Sequence, residues 1–151
     1  MQHNPGFLRL VEQARQRVKE CTVADVRARL ARGERFYLVD VREDHEFAKD
    51  HAAGACHLGK GIIERDIETV IPDKQASIVL YCGGGYRSVL AAEALQLMGY
   101  TDVLSMDGGD QGLAGRRLSR GEGPAGVSPD YLLARSNSLT TCSVRSMVSL
   151  L

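Results

Sequence analysis

The sequence predicts an α/β fold with a mostly parallel central sheet and helices packed on its faces. Short apolar runs alternate along the chain with segments in which apolar residues recur at helical spacing. The clearest run, Ser77 to Tyr81, shows no polar alternation, which is typical of a strand buried on both faces. A Gly-rich turn joins this run to a helical segment, so strand and helix follow each other as they do in parallel sheets.

Five segments have the spacing of helices. Residues 1–20 form one amphipathic pattern, which predicts an added N-terminal helix ahead of the main domain. Thr22 and Asp25 form a capping-box-like pair that starts a second helix, and Gly33 ends it. Three further helices are predicted over residues 43–50, 62–70 and 88–98.

Four apolar runs predict strands, at residues 36–39, 55–58, 77–81 and 103–106. The Asp-Gly-Gly sequence at residues 107–109 predicts a turn after the last of them. No internal repeat is visible in the sequence, so these elements are expected to form one domain.

Composition and charge limit the kind of protein that this is. The 151 residues carry 19 basic and 19 acidic side chains, which gives no electrostatic reason to expect nucleic acid or an anionic membrane as partner. No apolar stretch approaches the roughly 18 residues of a membrane span, and the first residues lack the layout of a signal peptide. We therefore predict a cytoplasmic protein. The four cysteines show no CxxC spacing, so neither a zinc knuckle nor a disulfide framework is expected.

The strongest chemical signal is the segment from Cys82 to Ser88, between the clearest strand and the next helix. In open α/β sheets ligands bind at this place. Its three consecutive glycines allow several N–H groups to point at one centre, and the helix N-terminus adds partial positive charge. Arg87 adds a cation whose fork suits oxyanions. We therefore predict that Cys82 is a largely ionised, nucleophilic thiol that faces an anionic substrate.

Four separated segments, taken in order, resemble the rhodanese-like sulfurtransferases, in particular their single-domain members. They are LVDVREDHEFAKDHAAGA at residues 38–55, VLYCGGGYRS at 79–88, AAEALQLMGYTDV at 91–103 and MDGG at 106–109. The resemblance runs from Thr22 to Gly109. It implies a rhodanese-like domain over residues 21–109 with a five-stranded, mostly parallel sheet.

The resemblance also implies an activity. Cys82 would take a sulfane sulfur from a donor such as thiosulfate, become a persulfide, and pass the sulfur to cyanide or to a thiol, which could belong to a protein. No metal or organic cofactor is required. The residues expected to hold the anionic substrate are those of the loop: Gly83, Gly84, Gly85, Tyr86, Arg87 and Ser88. Asp40 and Arg42 are expected to brace the strand end and the loops around the site.

Other reactive side chains give weaker signals. His51 and His57 are expected to pack or to cap, because a preformed thiolate needs no general base. Cys56 is expected to be either a buried residue or a thiol that resolves the Cys82 intermediate. Cys21 and Cys142 carry no readable signal.

Two other functions stay open. A binding or regulatory module would keep the fold without turnover. A Cys-dependent phosphatase of similar fold would need five residues between its Cys and Arg, and only four separate Cys82 from Arg87. A nucleotide-binding P-loop is disfavoured because no Lys follows the glycines.

The family pattern stops after Gly109, where an apolar residue, an aromatic residue and a helix would normally follow. The charge balance also changes there, since residues 1–115 carry 14 basic and 17 acidic side chains and residues 116–151 carry 5 and 2. One choice of codons for residues 110–120, read one base later, gives Ile-Arg-Ala-Trp-Leu-Ala-Gly-Gly-Phe-Pro and restores the pattern. We hypothesise that residues 110–151 are a frameshifted, partly disordered tail rather than a divergent extension, which the DNA around codon 110 decides.

Overall fold

The computed structural model describes residues 2–109. Its helices are α1 (Pro5–Arg15), α2 (Val23–Ala31), α3 (Asp44–Lys49), α4 (Ile63–Val70) and α5 (Tyr86–Leu97). Its strands are β1 (Lys19–Thr22), β2 (Tyr37–Asp40), β3 (Cys56–His57), β4 (Ser77–Tyr81) and β5 (Asp102–Asp107). The predicted tail of residues 110–151, which includes Cys142, lies outside the described residues. None of the described helices is long and apolar enough to span a bilayer.

The strands form one sheet in the order β1-β5-β4-β2-β3, and every neighbouring pair is parallel. This confirms the predicted α/β class and the five-stranded sheet, with the N-terminal helix in place. Strand β4 is the middle strand, with β5 on one side and β2 on the other.

Strand β1 is the element that the sequence reasoning missed. The predicted N-terminal helix extends to residue 20, whereas α1 ends at Arg15 and Lys19–Thr22 pair with β5. Three of the four β1 residues are exposed, so the segment contains no apolar run. Its pairing depends on backbone hydrogen bonds to β5, which a side-chain pattern does not reveal.

Strand β4 contributes to two apolar layers on opposite faces of the sheet. Ile78 and Leu80, and Cys82 after them, belong to the layer that includes α4 and α5. Val79 and Tyr81 belong to the layer on the other face, against α2. Because successive strand side chains point to opposite faces, this alternation places the Cys82 thiol on the side of α5.

Candidate active site

Cys82 lies at the carboxyl end of the middle strand. It directly follows β4, its side chain is buried, and its thiol is free. The carboxyl ends of β2 and β5 lie on either side of it, because all three strands run in the same direction. The residue is therefore at the place where open parallel sheets bind ligands, as the sequence predicts.

The loop after Cys82 turns a backbone N–H toward the sulfur. Gly85 donates this N–H to Cys82 Sγ at 3.2 Å. Gly85 has φ of +82°, and a Cβ at this position would lie 3.1 Å from Asp107 Oδ1. A residue with a side chain would be strained here and would also crowd Asp107, so glycine is required for the loop to present this N–H.

The closing turn packs directly on the same loop. Gly108 and Gly109 both have positive φ, as expected for the predicted turn. A Cβ on Gly109 would overlap the carbonyl oxygens of Cys82 and Gly83. The backbone at Gly109 therefore fixes the position of the loop backbone, a role that its place in a Gly-Gly pair does not reveal by itself.

Arg87, in the first turn of α5, joins this helix to α3. Its Nη1 donates to Glu46 Oε2 at 2.6 Å and its Nη2 donates to Glu46 Oε1 at 3.0 Å. The two hydrogen bonds from Arg87 lower the pKa of Glu46 to about 2. The pKa of Arg87 is raised, mainly by Glu46 and to a smaller extent by the side chain of Cys82. The guanidinium is therefore held in place by the Glu46 carboxylate.

Glu46 lies at the candidate site, and the sequence does not single it out. The sequence predicts a helix around it, and in α3 its carboxylate also accepts the N–H of Glu43 at 3.0 Å in a capping box. That local role has a sequence signature. Its hydrogen bond to Arg87, 41 positions away, depends on how the fold brings α3 to α5, and this contact has no signature in the sequence. Because the pKa of Glu46 is about 2, the carboxylate is ionised at neutral pH and is a poor proton donor.

The Glu46–Arg87 pair is expected to make the free energy of unfolding depend on pH in the acid range. The folded-state pKa of Glu46, about 2, lies below its ordinary value of 4.5, so the pair contributes fully above pH 4.5 and is lost as the pH falls toward about 2. Glu46→Gln keeps an oxygen for the helix cap but does not titrate, so its free energy of unfolding should fall less over this window. Urea unfolding at several pH values measures this. Glu12→Gln, which removes an exposed carboxylate of α1, is the control, and equal pH slopes for Glu46→Gln and wild type would contradict the prediction.

Asp40 and Arg42 form a buried pair at the end of β2. Arg42 Nη2 lies 2.8 Å from Asp40 Oδ2, and the N–H of Arg42 also donates to this carboxylate, at 2.9 Å. Asp40 is 0% exposed and Arg42 is 3% exposed. Arg42 also donates to the backbone oxygen of Asp50 at 2.6 Å and thus ties β2 to the end of α3. This geometry agrees with a bracing role, which stays a prediction.

Tyr86 connects the loop to the N-terminal helix. Its ring lies 4.6 Å from the ring of His3 and 6.0 Å from that of Phe7, measured between centroids. The guanidinium of Arg15 lies 5.4 Å from the centre of the same ring. The side chain of Tyr86 therefore packs against α1 and the residues before it, and its anion-binding role stays a prediction.

The remaining candidates lie elsewhere. His51 and His57 stack on Phe47, at 3.9 and 4.6 Å, and each has a ring nitrogen within 2.9 Å of a backbone oxygen. Cys56, on β3, is buried, as one of the two expectations from the sequence states, and the role of a resolving thiol stays a prediction. Among residues 2–109, no three His, Cys, Asp or Glu side chains are grouped so that they could hold a metal ion.

Comparison with known proteins assigns these features to one family. The chain is 34% identical over 70 residues to the thiosulfate sulfurtransferase PspE of Escherichia coli, a match covering 46% of this chain and 67% of that protein. A thiosulfate sulfurtransferase structure from Pseudomonas aeruginosa is 33% identical with a TM-score of 0.59, over 64% of this chain and 18% of that one. A Rhodopseudomonas palustris protein of unknown function, named a possible tyrosine phosphatase, is 26% identical with a TM-score of 0.68, over 79% of this chain and 98% of that one.

The family comparison covers more than half of the chain. The model of the rhodanese-like domain matches residues 22–114, which include β2, the Cys82 loop and the closing turn. The prediction of a rhodanese-like transferase is therefore confirmed at the level of the family. This protein belongs to the rhodanese-like domain family.

Proposed function

We propose that the protein is a sulfurtransferase that carries a sulfane sulfur as a persulfide on Cys82. The observation that supports this most is the free thiol of Cys82 at the end of β4, with the Gly85 N–H at 3.2 Å and the Arg87 guanidinium beside it. A backbone N–H and a cation both favour negative charge on the sulfur. Relatives named thiosulfate sulfurtransferases support the same class of reaction.

In this proposal the sulfur is transferred in two steps. In the first, the Cys82 thiolate attacks the outer sulfur of thiosulfate, a new S–S bond forms, and the S–S bond of thiosulfate breaks with its electron pair leaving as sulfite. In the second, cyanide or a thiolate attacks the outer sulfur of the persulfide. The S–S bond to Cys82 then breaks and its electron pair regenerates the thiolate. Splitting the transfer in this way gives ping-pong kinetics.

The loop residues stabilise the charge in both steps. The Gly85 N–H faces the sulfur and favours negative charge on it. Arg87 would hold the sulfonate end of thiosulfate while it remains bonded to Glu46, so that the two acidic groups share one guanidinium. The physiological acceptor would be a small thiol or a protein thiol, and the cytoplasmic location stays a prediction.

Treatment with thiosulfate tests the proposal directly. The wild-type protein is expected to gain the mass of one sulfur atom and to lose it on addition of cyanide, as read by intact-mass spectrometry. Cys82→Ser should gain no mass, because the serine hydroxyl cannot form a persulfide. Cys21→Ser is the matched control: burial raises the pKa of Cys21 to about 11, so this free thiol is protonated at neutral pH and its removal should leave the adduct unchanged.

The outcomes separate the alternatives. Folded wild-type protein that gains no sulfur would contradict the proposal and favour a module without turnover. A phosphatase is the second candidate, because the R. palustris neighbour is named a possible tyrosine phosphatase. Two features of this chain speak against it: the short spacing between Cys82 and Arg87, and an ionised Glu46 that cannot protonate an alcohol leaving group. Hydrolysis of an aryl phosphate faster than sulfur transfer would overturn this choice.

A further inference from the structure

Two serine hydroxyls form a buried chain that ends at the sulfur of Cys82. Ser88, in the first turn of α5, has its Oγ 3.7 Å from Cys82 Sγ and donates to the Gly85 carbonyl at 3.1 Å. Ser105, on β5, donates to Ser88 Oγ at 2.9 Å. Both serines are 0% exposed. The chain therefore runs from the neighbouring strand, through the helix, to the reactive atom.

Ser105 is a polar residue at a fully buried position of β5. It pairs with Leu80 in the register of β4 and β5, next to the apolar core of the sheet. A buried hydroxyl loses its hydration, which is unfavourable unless a partner replaces the lost hydrogen bonds. Alanine has nearly the same volume and needs no partner. The hydrogen bond to Ser88 is thus the property of Ser105 that an apolar residue would not provide.

Ser88 has one hydroxyl proton and two acceptors within reach, the Gly85 carbonyl and the Cys82 sulfur. With an uncharged thiol, the carbonyl is the better acceptor. With a thiolate or a persulfide anion, the bond to sulfur becomes charge-assisted and is the stronger of the two. A hydrogen bond donated by Ser105 to the same oxygen polarises the Ser88 hydroxyl and strengthens it as a donor.

We propose that Ser105 is a positioning residue that acts through Ser88 and stabilises the anionic sulfur of Cys82. The importance of this role for turnover rests on the proposed function, but the effect on the thiol does not. Other charges also face this sulfur: Arg87 of α5, with Glu46 of α3 behind it.

Two further titratable groups lie at the edge of the loop. Asp107, at the end of β5, lies beside Gly85, and His3 packs on Tyr86. Replacing Ser105 changes neither these groups nor the charges of Arg87 and Glu46. A change in the thiol of a Ser105 variant would therefore be due to the lost hydroxyl.

The test is the pH dependence of Cys82 alkylation by iodoacetamide, followed by peptide mass spectrometry so that Cys82 is read apart from Cys21. Ser105→Ala is expected to raise the midpoint by about half a pH unit, which corresponds to about threefold less thiolate below the midpoint. Ser105→Thr keeps the hydroxyl and should keep the wild-type midpoint. Ser77→Ala removes a hydroxyl at the other end of β4, where the partner is Arg29, and should also leave the midpoint unchanged.

A double-mutant cycle identifies the route. Because Ser105 acts through Ser88, Ser105→Ala should have no further effect in a Ser88→Ala background. A folded Ser105→Ala protein with the wild-type midpoint would overturn the inference, and so would a shift that persists without Ser88. If Ser105→Ala does not fold, Ser105→Cys is the alternative variant. Its thiol is a weaker donor than a hydroxyl, so the pH midpoint should rise by a smaller amount. An unchanged midpoint in a folded Ser105→Cys protein would contradict the inference. Alkylation requires no sulfur transfer, so this result is independent of the thiosulfate test.

Discussion

Gly109→Ala is expected to lower sulfur transfer by about a hundredfold, because it displaces the loop that carries Cys82. The new Cβ would overlap the carbonyl oxygens of Cys82 and Gly83, and both are backbone atoms that cannot rotate away. Relief of the overlap requires a shift of the loop or of the turn. A misplacement of about 1 Å at reacting groups can cost about a hundredfold in rate. Steady-state rates with thiosulfate and cyanide, compared as kcat/KM, measure the loss.

Gly108→Ala is the matched control for this experiment. Gly108 also has a positive φ, +86° against +52° for Gly109, so an alanine is strained at either position. At residue 108, however, the added Cβ meets only the side chain of Val23, at an ordinary distance of 3.6 Å. Both variants therefore have backbone strain, but only Gly109→Ala overlaps the backbone of the Cys82 loop. If both variants lost activity equally, contact between the turn and the loop would not be what positions Cys82.

Asp40→Asn is expected to destabilise the fold by about 3–5 kcal/mol, because it removes the buried negative charge that lies 2.8 Å from the Arg42 guanidinium. Asparagine keeps the shape of the side chain and one acceptor oxygen, so the loss reports the charge rather than a cavity. Asp50 compensates only in part, since its carboxylate is 3.2 Å from Arg42 and 62% exposed. Urea unfolding at neutral pH gives the free energy.

Asp66→Asn provides the comparison on the surface. Asp66 is paired with Arg65 at 2.6 Å, but both side chains are much more exposed than the buried pair, at 31% and 73%. Solvent and salt screen an exposed pair of this kind, so this variant should remain close to wild type. A loss for Asp40→Asn no larger than that for Asp66→Asn would show that the Asp40–Arg42 pair does not brace β2.

The fold was predictable where the pattern of apolar or capping residues is local and continuous in the sequence. The sequence predicts a strand over residues 77–81, and both ends agree with the structure, because a continuous apolar run follows Ser77 and ends at a Gly-rich turn. The capping box of Thr22 and Asp25 was also recognised, since both of its hydrogen bonds are local. Strand β1 was not, because an exposed edge strand is held by backbone pairing to β5 and needs no apolar residues.

The site was predictable only in the part that is continuous in sequence. The position of Cys82 and the glycine turn follow from one short segment. Glu46, Ser105 and Gly109 come from three other elements, and each is an ordinary residue in its own segment. A Glu in an acidic helix, a Ser in a strand and a Gly in a turn become significant only when the sheet brings them beside the loop. Single-sequence patterns carry no information about such distant contacts.

The strand order determines which part of the sheet opens first. Amide hydrogen exchange in native proteins proceeds through local openings that are least costly at frayed edges and most costly in central strands. Strand β4 is bordered by strands on both sides, whereas β1 is polar and lies at the edge. The residue that would carry the sulfur is therefore attached to the last part of the sheet to open. Fluctuations that release β1 leave Cys82 in place, so heat inactivation should coincide with loss of the whole sheet.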